Sequence, residues 1–269
     1  MNTITETHMS RELLDKLPGW CKDFDPKQYY LVLTDDADSL LSCQRLKTKF
    51  GLEIGGFYDF KQGLYLNDEI TDEGWKSPIF VDLSVSEGHA FDNHYSFINN
   101  PDKVNPNVYK RIYYNQKYCG STLMLLCSLY GGVDCMNETL RTVLCAVDGF
   151  YVGYYKSGGY YKDVNLWWLD KLGLTEYLLP ILEEHDNQYF VDFISDYQLR
   201  EKIWIDDEGY LHCPSFGVPG IQFNKEFSTE QVFTDRLQAM SMHRQGKPIF
   251  VSASTYENSY VLNLKQQVS

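Results

Sequence analysis

The sequence predicts an α/β fold with a mainly parallel sheet flanked by helices, and three observations carry that expectation. Short apolar runs rich in β-branched and aromatic residues alternate with amphipathic helical segments, as in a sheet fed by crossover helices. Helix start and stop residues stand where the alternation needs them, with Gly51, Gly131-Gly132 and Asn137 at the breaks. After Tyr161 the character changes to helical segments followed by strands. That change predicts two parts, residues 1–160 and a smaller α+β domain over 161–269.

Residues 1–27 form a charged appendage around a short helical pattern of Leu13, Leu14 and Leu17. Gln28–Leu33 (QYYLVL) reads as a buried strand. Leu40, Leu41, Cys43, Leu46 and Phe50 then mark one helix, with Gly51 at the position after its last turn. Ile54–Phe60 and Ile79–Leu83 (IFVDL) read as strands, and the charged stretch Asp68–Lys76 as a surface excursion. Ser84–Ile98 has few regular signals, and 99–118 reads as loop. Gly120–Tyr130 and Asn137–Val147 are expected helices, the second with Leu140, Val143, Leu144 and Val147 on one face. Leu166–Leu172, Tyr177–Glu184 and Phe190–Ile203 follow as helices. From Trp204 strands are expected, with a turn at Asp207-Glu208-Gly209 and two β-rich segments around Tyr256–Asn258.

The chain has 269 residues and a formal net charge of −13, so on average it repels a polyanion. Binders of long duplex nucleic acid neutralise phosphates with Lys and Arg, so that class is disfavoured. No stretch approaches the ~20 apolar residues that span a bilayer, and the N-terminus lacks the apolar core of a secretory signal. Seven Cys without a CxxC pair suit reduced thiols and a cytoplasmic location.

The chemistry concentrates in Asp residues. Asp35, Asp36 and Asp38 lie between a predicted strand and helix, and Asp82 ends another strand. In an open parallel sheet, ligands bind beyond the carboxyl ends of the strands. Clustered carboxylates there suit a hard cation such as Mg²⁺ or Mn²⁺, although Asp36 or Asp38 as a helix cap accounts for the same residues. Asp92, Asn93 and His94 follow about ten residues after Asp82. His94 suits a metal ligand, a phosphate contact or a plain surface residue. Asp148, after an apolar helix, either faces a cation or satisfies a turn. The Tyr-rich stretch Tyr151–Tyr161 reads as aromatic packing or as a base-stacking platform.

These residues together resemble the DHH phosphoesterase superfamily, which includes RecJ-type exonucleases, nano-RNA and cyclic-dinucleotide phosphodiesterases and family II inorganic pyrophosphatases. Asp36-Ala37-Asp38-Ser39 matches the first motif, Asp82 the second, Asp92-Asn93-His94 the Asp-His-His motif, and Asp148 in LCAVDGF the fourth, in order over residues 28–155. The resemblance implies a DHH-like domain over 1–160 and hydrolysis of a phosphodiester or phosphoanhydride in a small substrate. A short single-stranded oligonucleotide, a cyclic dinucleotide or pyrophosphate would qualify. It implies Asp36, Asp38, Asp82 and Asp148 as ligands of one or two Mn²⁺ or Mg²⁺ ions. His94 would act with Asp36, Asp38 and Asp82 as a catalytic group, while Asp35, Asp92 and Asn93 support. The family's first-motif His falls on Val32 and its first third-motif His on Asn93. Loss of those nitrogen ligands favours Mg²⁺ over Mn²⁺, or a nucleotide-binding or protein-interaction module that has lost turnover. His89 is a spare ligand candidate. The family's Gly-Gly-Gly-His stretch has no counterpart, and Ile249–Ser254 is similar to a family strand but lacks its Arg. A homodimer is compatible with this reading.

Overall fold

A computed structural model describes residues 2–3, 6–71, 76–108, 113–256 and 259–265. In chain order the elements begin with β1 (Asn2–Thr3), α1 (Arg11–Leu14), β2 (Asp23–Phe24), β3 (Tyr29–Leu33), α2 (Ala37–Phe50), β4 (Ile54–Asp59) and β5 (Gly63–Leu66). Then come α3 (Asp68–Thr71), β6 (Ser77–Val81), β7 (His89–Phe91), β8 (Lys103–Val104), α4 (Thr122–Tyr130), α5 (Glu138–Ala146), α6 (Phe150–Tyr155) and α7 (Tyr160–Leu172). The chain continues with α8 (Thr175–Glu184), α9 (Asn187–Asp196), β9 (Trp204–Ile205), β10 (Leu211–His212), β11 (Lys225–Asp235), α10 (Arg236–Arg244), β12 (Ile249–Tyr256) and β13 (Ser259–Lys265).

The fold is α/β, built on one mixed nine-stranded sheet of order β12-β13-β11-β5-β4-β3-β6-β7-β8. The run from β4 through β3, β6 and β7 to β8 is parallel, and the pairings from β4 out to β12 are antiparallel. Two two-stranded sheets, β1-β2 and β9-β10, stand apart from it.

Strand β3 shows how the layers form. Its side chains alternate between faces. Leu31 and Leu33 join Leu40, Leu46, Met124 and Leu125 in the main core, where the helices pack. Tyr30 and Val32 turn to the opposite face, against Tyr58, Phe80 and Phe250. That second face is covered by the chain's own C-terminal strands. The sheet curls until β12 crosses the segment after β6: Ser252 N–H donates to Ser84 O at 3.0 Å, and Ser86 N–H donates to Phe250 O at 2.9 Å.

Helix α2 buries Leu40, Cys43 and Leu46 at helical spacing and ends at Gly51, whose φ of 72° suits glycine. Helix α4 is buried at all nine positions, the signature of a central helix. At α5 the buried residues are Thr142–Ala146, while Leu140 is half exposed, so the apolar face differs from the expected one. The strands β5, β7 and β8 are not marked by the sequence pattern, and β11 falls in the stretch after Trp204 where strands are expected without bounds. β7 and β8 are three and two residues long and exist through pairing with β6 and with each other, which local periodicity does not report.

The sequence change near residue 160 falls at the start of α7. Leu169, Leu172, Leu178 and Phe190 after it lie in the same core as Leu31 and Leu126 before it, and β11 pairs with β5. The chain passes close to itself at Gly173, where a Cβ would lie 1.8 Å from the His8 carbonyl oxygen. The turn expected at Tyr256–Asn258 lies partly outside the described residues, as do parts of 68–76 and 99–118.

A carboxylate site at the ends of the parallel strands

Asp36 follows β3, Asp82 follows β6 and Asp92 follows β7, so adjacent parallel strands deliver them to one sheet edge. The strand ends are tied together by Ser39, fully buried in the first turn of α2. Its hydroxyl accepts from Thr34 N–H at 2.7 Å and donates to Val81 O at 3.0 Å.

Asp36 is the N-cap of α2, its Oδ1 accepting from Ser39 N–H at 3.1 Å. The capping role therefore holds, while its Oδ2 looks the other way, 3.8 Å from Lys202 Nζ. Asp38 is buried and faces the start of α4, accepting from Thr122 N–H at 2.7 Å and Leu123 N–H at 2.9 Å. A carboxylate against unsatisfied first-turn N–H groups is favoured by charge and by the helix dipole. Asp38 thus clamps α2 to α4, and both of its oxygens are engaged in doing so. Asp82 sits in left-handed backbone, φ 59°, a conformation that costs a non-glycine residue about 1–2 kcal/mol. Its Oδ1 accepts from the Thr122 hydroxyl at 2.8 Å. One residue, Thr122, therefore touches Asp38 through its backbone and Asp82 through its side chain.

Asn93 joins the fourth motif to the third. Its Nδ2 donates to Asp148 Oδ2 at 2.6 Å and to Gly120 O at 3.0 Å. His94 is oriented by Asp92, whose Oδ1 lies 2.7 Å from its Nδ1 and 3.0 Å from its backbone N. Asp92 is fully buried, and its Oδ2 meets Asn105 Nδ2 at 2.8 Å and Lys103 Nζ at 3.3 Å.

The ionisation of these groups shows that they feel one another. Asp36 is raised to about 6 by loss of solvent and by the Asp82 charge, with Lys202 opposing. Asp82 is raised to about 6 by burial and by Asp148, with His94 opposing. Asp148, which opens to solvent, is raised to about 6 by the protein around it and by Asp36, against His94. Asp38 is pushed well above the carboxylate range by burial, then by Asp82, Asp148 and Asp36. Burial would raise Asp92 too, but Lys103 and the His94 hydrogen bond hold it far below. Burial disfavours charge on His94, yet Asp92 outweighs it and lifts the imidazole to about 9. His94 is therefore a cation at neutral pH, surrounded by carboxylates.

The structure thus brings together Asp36, Asp38, Asp82, His94 and Asp148, with Asn93 and Asp92 as their hydrogen-bonded support. Asp35 is next to them and pairs with Lys202 at 3.0 Å. Val32, at the family's His position, is fully buried on the opposite face of the sheet and belongs to an apolar cluster. His89 packs on Trp20 and Tyr29, with ring centroids 4.4 and 5.2 Å away. In the Tyr-rich stretch, Tyr151 stacks on Phe190 at 4.9 Å and the Tyr155 hydroxyl donates to Leu182 O at 2.7 Å, so these two rings serve packing.

Sequence reasoning did not single out Lys202, Lys103, Thr122 or Asn105. Thr122 lies near the start of the expected helix Gly120–Tyr130. Lys202 arrives from far along the chain with no motif around it.

The chemistry of the donor set, carboxylates with raised pKa values, suits a hard divalent cation. Among the described residues, however, no group of three or more His, Cys, Asp and Glu side chains is assembled closely enough to hold a metal ion. Among the described residues no helix is long and apolar enough to cross a membrane, and all seven Cys are free thiols. In comparisons with known proteins, the chain matches no family model, no curated protein and no solved structure.

Proposed function

We propose that the protein is a divalent-cation-dependent phosphoesterase of DHH type, acting on a phosphodiester or phosphoanhydride in a small substrate. The observation that carries this reading is geometric: adjacent parallel strands deliver Asp36 and Asp82 to one sheet edge, Asn93 ties Asp148 to the same segment, and Asp92 holds His94 beside them. Carboxylates gathered at one edge repel one another and are poised for a cation. Asp36, Asp82 and Asp148 would hold Mn²⁺ or Mg²⁺, since Asp38 already spends both oxygens on the α4 N-terminus. The ion would lower the pKa of a bound water and neutralise charge on phosphate oxygens. His94 supplies a fixed positive charge to a phosphate oxygen, and Asp92 keeps its ring in place. Asn93 orients Asp148 through its amide, and Thr122 orients Asp82 through its hydroxyl. The net charge of −13 favours a short oligonucleotide, a cyclic dinucleotide or pyrophosphate over a long polymer.

A second reading keeps the pocket and drops the turnover. It is favoured by the amide of Asn93 and the apolar Val32 at positions where the resemblance implies imidazoles. One experiment separates the two. The protein is incubated with each of those substrates in Mn²⁺ and in Mg²⁺, beside Asp82→Asn. Metal-dependent product that Asp82→Asn abolishes supports the phosphoesterase. Nucleotide binding by calorimetry without product supports the binding module and overturns the enzyme.

A further inference from the structure

Helix α7 carries two stripes. Asn165, Trp168, Leu169 and Leu172 are its buried residues. Tyr160, Asp163, Val164 and Trp167 follow the i, i+3, i+4, i+7 spacing of another side of the same helix. Together with Gln116 they line a cavity of about 290 Å³. Val164 lies between the two rings along the helix, about one turn from each. Both rings are braced from behind. Tyr160 meets Tyr161 edge-on with centroids 5.3 Å apart, and Trp167 meets the fully buried Trp168 at 4.8 Å. Tyr160 nevertheless stays 44 % exposed.

The cavity adjoins the carboxylate site. Trp168 Nε1–H donates to Gln116 O at 3.1 Å, which ties α7 to the segment leading into α4. Asn165, next to Val164, donates from Nδ2 to Phe150 O at 2.6 Å and accepts from the Cys119 thiol at 3.3 Å. Phe150 stands two residues after Asp148, and Cys119 stands one before Gly120, whose carbonyl accepts from Asn93. Gln116 and Gly120 can be at most about 14 Å apart. Lys117 follows Gln116, and its charge bears on Asp148. A cation therefore lies near both the cavity and the carboxylates.

The lining selects the occupant. The volume is at the small end of ligand pockets, so it takes one ring system, whereas a protein partner needs a face of about 800 Å². Aromatic and aliphatic walls suit the face of a ring. The Gln116 amide and the Asp163 carboxylate on the same cavity offer hydrogen bonds to a ring edge that carries N–H donors. We propose that this cavity is a base-binding subsite, in which the heterocycle of a nucleotide stacks on Tyr160 and Trp167 while its phosphate reaches toward Lys117 and His94. The contact requires no metal ion. The inference rests on the phosphoesterase reading for the phosphate and deepens it, selecting the base-bearing substrates, a short oligonucleotide or a cyclic dinucleotide, over pyrophosphate.

The test is calorimetry on the full chain in EDTA with adenosine, adenosine 5′-monophosphate and ribose 5-phosphate, which lacks the base. Wild type is compared with Tyr160→Ala, Trp167→Ala and Trp167→Phe, each checked for folding by circular dichroism. Stacking of a base on an aromatic ring changes affinity by about tenfold or more, so wild type should bind the monophosphate at least about tenfold tighter than ribose 5-phosphate. Tyr160→Ala and Trp167→Ala should each weaken adenosine and the monophosphate about tenfold, while Trp167→Phe, which keeps a ring, should stay within about threefold of wild type. Equal affinity for the monophosphate and ribose 5-phosphate refutes the subsite. So does a folded Tyr160→Ala that binds both adenine ligands as wild type does, or the absence of binding by either adenine ligand at millimolar concentration. Metal-dependent hydrolysis of pyrophosphate would in those cases leave the phosphoesterase reading standing. Base-dependent binding with no product from any phosphorylated substrate would instead overturn the enzyme and leave the subsite in place.

Discussion

Removing the Lys103 ammonium with Lys103→Met tests the support beneath His94. Lys103 is 4 % exposed, and Asp92, 3.3 Å away, is fully buried. Breaking a buried pair by deleting one partner typically costs about 3–5 kcal/mol, because the remaining charge is stranded. Asp92 keeps three donors, from His94 N, His94 Nδ1 and Asn105 Nδ2, which puts the expected loss near the lower end, about 3 kcal/mol. Unfolding entropy of roughly 2.1 cal/mol/K per residue over a chain this long converts that loss to about 5 °C in Tm. The assay is urea denaturation at pH 7 of wild type, Lys103→Met, Asp92→Asn and the double variant. The coupling between the two sites should be about 2 kcal/mol or more. Acid provides a second arm. A carboxylate held below its ordinary pKa contributes stability that is present above about pH 4 and lost as pH falls further, and Asp92 is such a group. The gap between wild type and Lys103→Met should therefore narrow below pH 4. A loss under about 1 kcal/mol at pH 7 would refute the view that this pair is a principal prop of the site.

Two further outcomes follow from the same geometry. The His94 ring, followed by NMR, should titrate near 9. Because its folded pKa lies above the unfolded value of 6.5, its contribution to stability is full below pH 6.5 and is lost as pH rises through 9; a midpoint under 7 would contradict the Asp92 pairing. Ser39→Ala removes the acceptor for Thr34 N–H and the donor to Val81 O in a fully buried place. It should cost about 2 kcal/mol in urea denaturation, and a loss below about 0.5 kcal/mol would show that the strand ends are held by other contacts.

The expected elements that proved legible were those whose local chemistry and long-range packing agree. β3, α2, β4 and β6 carry strong apolar patterns with capping residues at their ends, and the structure has them within two or three residues of the expected limits. The same holds for α4 and α5, down to Asn137 capping Leu140 N–H at 2.9 Å. β7 and β8 were missed because their stability comes from neighbours in the sheet, and strands of two or three residues have no period to read. Asp36, Asp38 and Asp82 were visible because they follow apolar strands that must end at a sheet edge, and Asp148 because it follows an apolar helix. Their helpers were not, because Asn105 and Lys202 are ordinary polar residues in irregular segments and Lys103 lies in a strand of two residues.

The sequence alone determined the α/β class, the order of the carboxylates along the chain and the strand ends that present them, since hydrophobic periodicity and capping act over a few residues. The tertiary structure decided which oxygens of those carboxylates are already spent. It turned Asp38 into a clamp on α4, sent Val32 to the far face, made His94 a cation and brought Lys202 across the chain to Asp35 and Asp36. Those outcomes depend on burial and on charges a few ångströms apart in space but far apart in sequence, where local pattern carries no information.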